Sequence, residues 1–259
     1  MRPNPRPQGR AGWLRVWPLA TLLVACGETT IDITNREPDV DLESGLMAYL
    51  RFDETDAGMA ALDSSGHGHD GAPTASAPLP DVSVPPVGFA NPRSLAFNGT
   101  DQLIDLGNPP ALDVSGRVTL AAWIRVSDAN GYRNIIAHGF RFDPPQELSL
   151  RIHENSYEFT AWNSIDHEAT APMTPGDIGS WHHLAGVYDG QSYRLYRDGS
   201  LIDEHPDSFL PTQVDAPWAI GGRSTTEPPT ERYYSGSIDE VRIYERALSP
   251  DEIRALARL

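Results

Sequence analysis

Residues 181–205 read WHHLAGVYDGQSYRLYRDGSLIDEH, and the punctuation of this stretch decides the fold. Three runs rich in Val, Ile, Leu, Tyr and Trp are each too short for a helix, and Asp189-Gly190 and Asp198-Gly199 separate them. Such Asp-Gly pairs reverse a chain tightly, because glycine takes positive φ without strain. In the second run Tyr193, Leu195 and Arg197 share one face, and Arg194, Tyr196 and Asp198 the other. The stretch is expected to be a half-buried antiparallel meander.

The same residues, W-H-H-L-A-G-V-Y-D-G and then R-L-Y-R-D-G, resemble the laminin-G-like jellyroll domains of the concanavalin A-like lectin/glucanase superfamily. Other segments fall in that family's order. SLAFNGTDQLIDLG at 94–107 is similar to its early hairpin, and VTLAAWIRV at 118–126 to its central strand. GSIDEVRIYERALSPDEI at 236–253 is similar to its closing strand and helix. The resemblance spans residues 45–259 and implies an all-β fold, a two-sheet antiparallel jellyroll β-sandwich with one short C-terminal helix. It implies little about the ligand, because one fold hosts many functions.

Working outward, residues 46–52 alternate apolar Leu46, Ala48, Leu50 and Phe52 with Met47, Tyr49 and Arg51, which reads as a strand with one apolar face. DSSGHGHDG at 63–71 is a Gly-rich loop and 72–93 a Pro-rich surface connection. Further strands are expected at 117–127, 133–138, 146–153, 156–162, 181–189, 192–198, 200–204, 217–221 and 236–246, a spacing that suits a sandwich. Ser249-Pro250-Asp251-Glu252 supplies an N-cap, a first-turn proline and a capping-box acid for the one helix.

The first 25 residues carry Arg2, Arg6, Arg10 and Arg15 and then the apolar run Trp17 to Ala25, the shape of a signal peptide. The run ends Leu23-Val24-Ala25-Cys26, which resembles the bacterial lipobox and implies cleavage before an acylated Cys26, the only cysteine of the chain. Residues 26–44 then read as an acidic tether. The chain is expected outside the bacterial cell membrane, held by lipid alone. Gly27 stands where an Asp favours inner-membrane retention in enteric bacteria, which directs the expectation to the outer membrane where there are two.

Charge and motifs then narrow the function. A net charge of −16 repels nucleic acid, which excludes that class of partner. Sister families on this fold cleave β-glucans with E-x-D-x-E carboxylates on one strand, and no segment here supplies them, nor a Gly-x-Ser-x-Gly or Cys/His nucleophile. Arg151-Ile152-His153 is faintly similar to an alginate-lyase strand whose Tyr-rich partner motif is missing. The expectation is a non-catalytic protein. His182 and His183 are strand neighbours whose rings point apart, and His67 and His69 are expected as exposed loop histidines.

Asp239 is expected on the face of Val241 and Ile243, where a carboxylate needs a partner. Related modules hold a structural calcium between their first loops and last strand, which implies Ca²⁺ shared by Asp63, Asp239 and loop carbonyls. The alternative is an Asp239 held by backbone N–H groups or an arginine. Trp123 and Trp181 read as structural, whereas Tyr132, Trp162 and Trp218 flank loops and are the candidate sugar platform. The expected partner is a glycan or, alternatively, a cell-surface protein; an unrecognised hydrolase or lyase site is the third reading.

Overall fold

The meander forms as expected. In the computed structural model, residues 40–259 are described apart from 75, 115, 212 and 225–231. The expected signal peptide, Cys26 and the expected tether up to residue 39 lie outside the described residues.

The chain first lays down β1 (Leu46–Leu50), β2 (Ala72–Pro73), β3 (Leu79–Asp81), β4 (Ser94–Asn98) and β5 (Ile104–Gly107). The central strands are β6 (Val118–Val126), β7 (Tyr132–Phe142), β8 (Pro145–His153), β9 (Ser156–Trp162) and β10 (Asp166–Pro172). β11 (Trp181–Tyr188), β12 (Ser192–Arg197), β13 (Ser200–Pro206), β14 (Trp218–Ile220), β15 (Ser235–Tyr244) and helix α1 (Pro250–Leu256) complete it. An eight-stranded sheet runs β13-β12-β11-β6-β15-β4-β3, with β1 also on β15, and a seven-stranded sheet runs β10-β9-β8-β7-β14-β5-β2. All pairings between these strands are antiparallel.

In the meander, Tyr188 pairs with Tyr193 and Leu184 with Arg197, and the Asp198-Gly199 turn has both φ values positive, at 50° and 76°. Tyr193 and Leu195 enter the core between the sheets, while Tyr196 packs on the other face with Ile253 and Leu256 of α1. Ser249 and Glu252 close the expected capping box. Gly186 of β11 shows why a strand interior carries a glycine: a Cβ there would lie 2.2 Å from the Phe159 ring of the facing sheet. The ring takes that space, and burying a side chain of this size is worth roughly 1.5–3 kcal/mol.

Three expectations change. Residues 94–107 are not a hairpin, since β4 belongs to the eight-stranded sheet and β5 to the seven-stranded one. The Asn98-Gly99 turn instead carries the chain from one sheet to the other, with Leu95, Phe97, Ile104 and Leu106 all in the core. β10 is an additional strand, an edge whose polar sequence buries only alanines. The domain also begins before residue 45: Leu42 packs on the α1 cluster, and Tyr244 Oη donates to its carbonyl at 3.1 Å.

Candidate functional site

β8 sends Leu148, Leu150 and Ile152 into the core, so Glu147, Ser149, Arg151 and His153 occupy the outer face of the seven-stranded sheet. β9 buries Tyr157, Phe159 and Ala161 and turns Glu158, Thr160 and Trp162 outward. β10 buries Ala169 and Ala171 and turns Asp166 and Glu168 outward. Register lines these up: Glu147 lies opposite Trp162, itself opposite Asp166, and Arg151 lies opposite Glu158.

At the centre is Arg151, 2% exposed. Its Nε donates to Glu158 at 2.7 Å, and its terminal nitrogens stand 3.5 Å from Asp166, 3.7 Å from Glu168 and 4.0 Å from Glu147. Burial alone would lower the guanidinium pKa, but Glu147 and Glu158 hold it above its ordinary value. Arg232 donates to both oxygens of Glu147, at 2.9 and 3.0 Å, and His153 Nδ1 meets Glu158 at 3.0 Å. Burial, then the Glu158 charge, raises the Glu168 carboxyl, with Arg151 opposing.

Aromatic residues wall this ionic floor. Trp162 stacks on Phe140 with ring centres 5.1 Å apart, and Phe142 meets Phe140 edge-on at 4.5 Å. Tyr132 stacks on His153 at 3.8 Å and has the Arg232 guanidinium 4.2 Å from its ring centre. The open groove between has a volume of about 190 Å³ and is lined by Tyr132, Phe140, Glu147, Arg151, Trp162, Asp166 and Arg232. Apolar walls with an acceptor-rich floor suit a ligand carrying both C–H faces and hydroxyls.

Two of the three expected platform residues therefore meet in one groove, with different roles. Trp162 is half-buried and lines it. Tyr132 has His153 and Arg232 at distances that cannot share one ring face, so it offers an edge and a hydroxyl. Trp218 is a correction: it has no exposed surface, stacks on buried His138 at 4.3 Å, and donates Nε1–H to the Leu112 carbonyl at 3.0 Å. Its short strand β14 lies between β5 and β7, which turns the ring into packing.

Asp63 and Asp239, the expected calcium pair, each carry hydrogen-bond donors in the structure. Asp63 accepts from the backbone N–H groups of Tyr49, Ser65 and His69, each at 2.9 Å, and from Ser65 Oγ at 2.8 Å. Burial raises the Asp63 carboxyl, but these donors more than offset it. They are donors where a cation would need bare oxygen. A β-bulge at Asp239-Glu240 shifts the register, so Ile238 and Val241 both face the core and Asp239 lies opposite Trp123, away from Val241 and Ile243. There Asp239 is fully buried and accepts from Asn91 Nδ2 at 2.8 Å and Glu240 N–H at 2.9 Å. Among the described residues no three His, Cys, Asp or Glu side chains come together as metal ligands. His67 is exposed as expected, but His69 is buried beneath the loop.

Residues 98–254 match the family described as the concanavalin A-like lectin/glucanases superfamily, laminin-G type. The chain belongs to that superfamily. Among solved structures it is similar to domain 4 of an extracellular arabinanase from Geobacillus stearothermophilus, in complex with arabinotriose. That likeness has 22% identity and TM-score 0.57 and covers 82% of this chain and 98% of that one. The binding domain of Paraclostridial Mosquitocidal Protein 1 is similar at 15% identity and TM-score 0.61, covering 84% and 52%. At these identities the likeness shows the fold. A curated relative, the sushi, von Willebrand factor type A, EGF and pentraxin domain-containing protein 1 of Mus musculus, is 22% identical over 151 residues. That match takes in 54% of this chain and only 4% of the relative.

Proposed function

We propose that this superfamily member is a lipid-anchored, non-catalytic carbohydrate-recognition module of the bacterial cell envelope, and that its glycan site is the groove on the seven-stranded sheet. The carrying observation is the union of Trp162 and Phe140 with the hydrogen-bonding floor of Arg151, Arg232 and Glu147 in one groove. Sugars present an apolar ring face and a rim of hydroxyls, and this groove offers a surface for each. A relative crystallised with arabinotriose supports the class of ligand. The anchor reading rests on the Leu23-Val24-Ala25-Cys26 junction, and Cys26→Ser should move the protein from the membrane fraction to the soluble one.

The direct test is Trp162→Ala in a glycan-binding screen. An aromatic stacking contact is worth up to about 1.5 kcal/mol, so affinity should fall about tenfold with melting little changed. Binding indifferent to Trp162→Ala sends the site elsewhere. Capture of a protein through exposed Phe142 and Ile165, with no glycan bound, establishes the adhesion reading.

Four convergent carboxylates favour a second reading, glycan hydrolysis, for which a raised-pKa acid such as Glu168 is one requirement. Release of reducing ends that disappears with Glu168→Gln would establish it.

A further inference from the structure

The groove's charges are not equally presented to a ligand. Arg151 is 2% exposed and Arg232 17%, whereas Asp166 is 49% exposed and Glu168 30%. The cations lie under the surface with carboxylates as partners; the carboxylates nearest solvent are only loosely held by Arg151, at 3.5 and 3.7 Å. A third cation, Arg223, is buried beneath Phe140 at 4.1 Å from its ring centre and does not line the groove. His153 faces Glu158 and the Tyr132 ring.

Resting on the glycan reading above, we infer that this groove selects neutral or amino-bearing glycans and rejects uronates, sialylated and sulfated chains. Among the described residues the groove is lined by the carboxylates Glu147 and Asp166 and the guanidinium groups Arg151 and Arg232. Glu158 and Glu168 stand on Arg151 just beyond the lining, and the most exposed of these charges are Asp166 and Glu168, so an incoming anion meets acceptors where it needs donors. Hydroxyl and ammonium groups donate to those same oxygens. The field of the whole chain, at −16, acts in the same direction before contact. An arginine in a sugar groove ordinarily suggests an acidic ligand; here Asp166 and Glu168, supplied by the edge strand β10, reverse that expectation.

The experiment measures binding isotherms of the detergent-solubilised full chain against hydroxyethyl-cellulose, arabinan and glycol chitosan, and against polygalacturonate, alginate and hyaluronate. At low salt each acidic polymer should bind at least about tenfold more weakly than the tightest neutral or amino polymer, a gap that narrows as salt screens it. Asp166→Asn with Glu168→Gln, two outward positions on an edge strand, should keep the melting temperature. It should shift the ratio of acidic-polymer to neutral-polymer affinity about tenfold towards the acidic polymers. An acidic polymer that binds the unaltered chain as tightly as the best neutral one overturns the selectivity and leaves the glycan site standing. A double substitution that leaves the discrimination intact overturns the assignment to β10. Failure of all six polymers to bind removes both the glycan reading and this inference.

Discussion

The two sheets each carry an arginine–carboxylate cluster on the face turned away from the core, and their surroundings give them opposite roles. On the eight-stranded sheet, Glu240 accepts from Tyr49 Oη at 2.5 Å and from Arg242 at 2.8 Å, and Arg242 lies 3.9 Å from the Tyr49 ring centre. The Pro-rich connection lies over that cluster: Asn91 bonds Asp239, the Ala90 carbonyl accepts from Arg51 at 3.0 Å, and Ser83 accepts from Trp181 Nε1 at 3.2 Å. Buried His183, edge-on to Trp123 at 5.6 Å, has its pKa pushed down to about 3 by burial and then by Arg242. On the seven-stranded sheet the Arg151 cluster has aromatic walls and stays open. Similar pairs are therefore packing where a loop lies over them and, under the proposed function, recognition surface where the described residues leave them open.

Removing the cation from each cluster breaks the comparison most severely. Deleting one partner of a buried ion pair costs about 3–5 kcal/mol. Arg151→Met and Arg242→Met should both lower stability on that scale, read by urea unfolding. Only Arg151→Met should also abolish glycan binding at a temperature where both variants are folded. Equal loss of binding in the two would make the groove's arginine merely structural.

A smaller effect separates the clusters by pH. Burial, opposed by the Asn91 bond and assisted by the Glu240 charge, pushes the Asp239 carboxyl up to about 8. Unfolded Asp titrates near 3.9, so the native state binds the proton more tightly between those values. Stability from this group is therefore full below about pH 4 and is lost as pH rises towards about 8. Asp239→Asn should raise stability at pH 8, by on the order of a few kcal/mol, and leave pH 4 unchanged. Among the described residues Asn91 Oδ1 has no partner, and a flip of the Asn91 amide lets it accept from the amide introduced by Asp239→Asn. A pH–melting profile of the variant parallel to that of the parent chain contradicts this account.

The smallest expected effect is that of calcium. With donors already on Asp63 and Asp239, added Ca²⁺ or a chelator should leave the melting temperature unchanged to within about 2 °C, which is under about 1 kcal/mol. A larger calcium-dependent rise restores the cage expected from the resemblance.

The sequence disclosed what local chemistry controls. Alternation in β1, β9 and β12, the Asp-Gly turns and the Ser249 cap were legible because each is written within a few residues. The Asp239 side was not, because one bulge inverts the alternation that places it. The groove was half legible. Trp162 and Tyr132 stood out as aromatics near loops, but the carboxylates come from three strands, so no single-strand motif announced them. Glu147 and Arg151 share one face of β8 four residues apart, which was a usable signal. Asp166 and Glu168 lie on an edge strand with too few apolar residues to be recognised. Trp218 misled because the strand expected at 217–221 lies between β5 and β7 with its ring buried, which the neighbouring loop residues do not disclose.

β1 pairs with the last part of β15, Leu50 with Val241 and Ala48 with Ile243, and the same β15 also holds β4 and β6. Nearly the whole chain separates the opening strand from its partner, so loop closure must come late and folding is slow. During synthesis the first strand has only the 63–65 loop to bond until the ribosome has made its partner strand β15. A nascent chain that stops short of residue 235 should accordingly be digested by protease throughout, whereas one extended through α1 should resist. Such a polypeptide stays threadable until β15 has been made, the state that passage through a secretion channel would demand under the proposed lipid-anchored function.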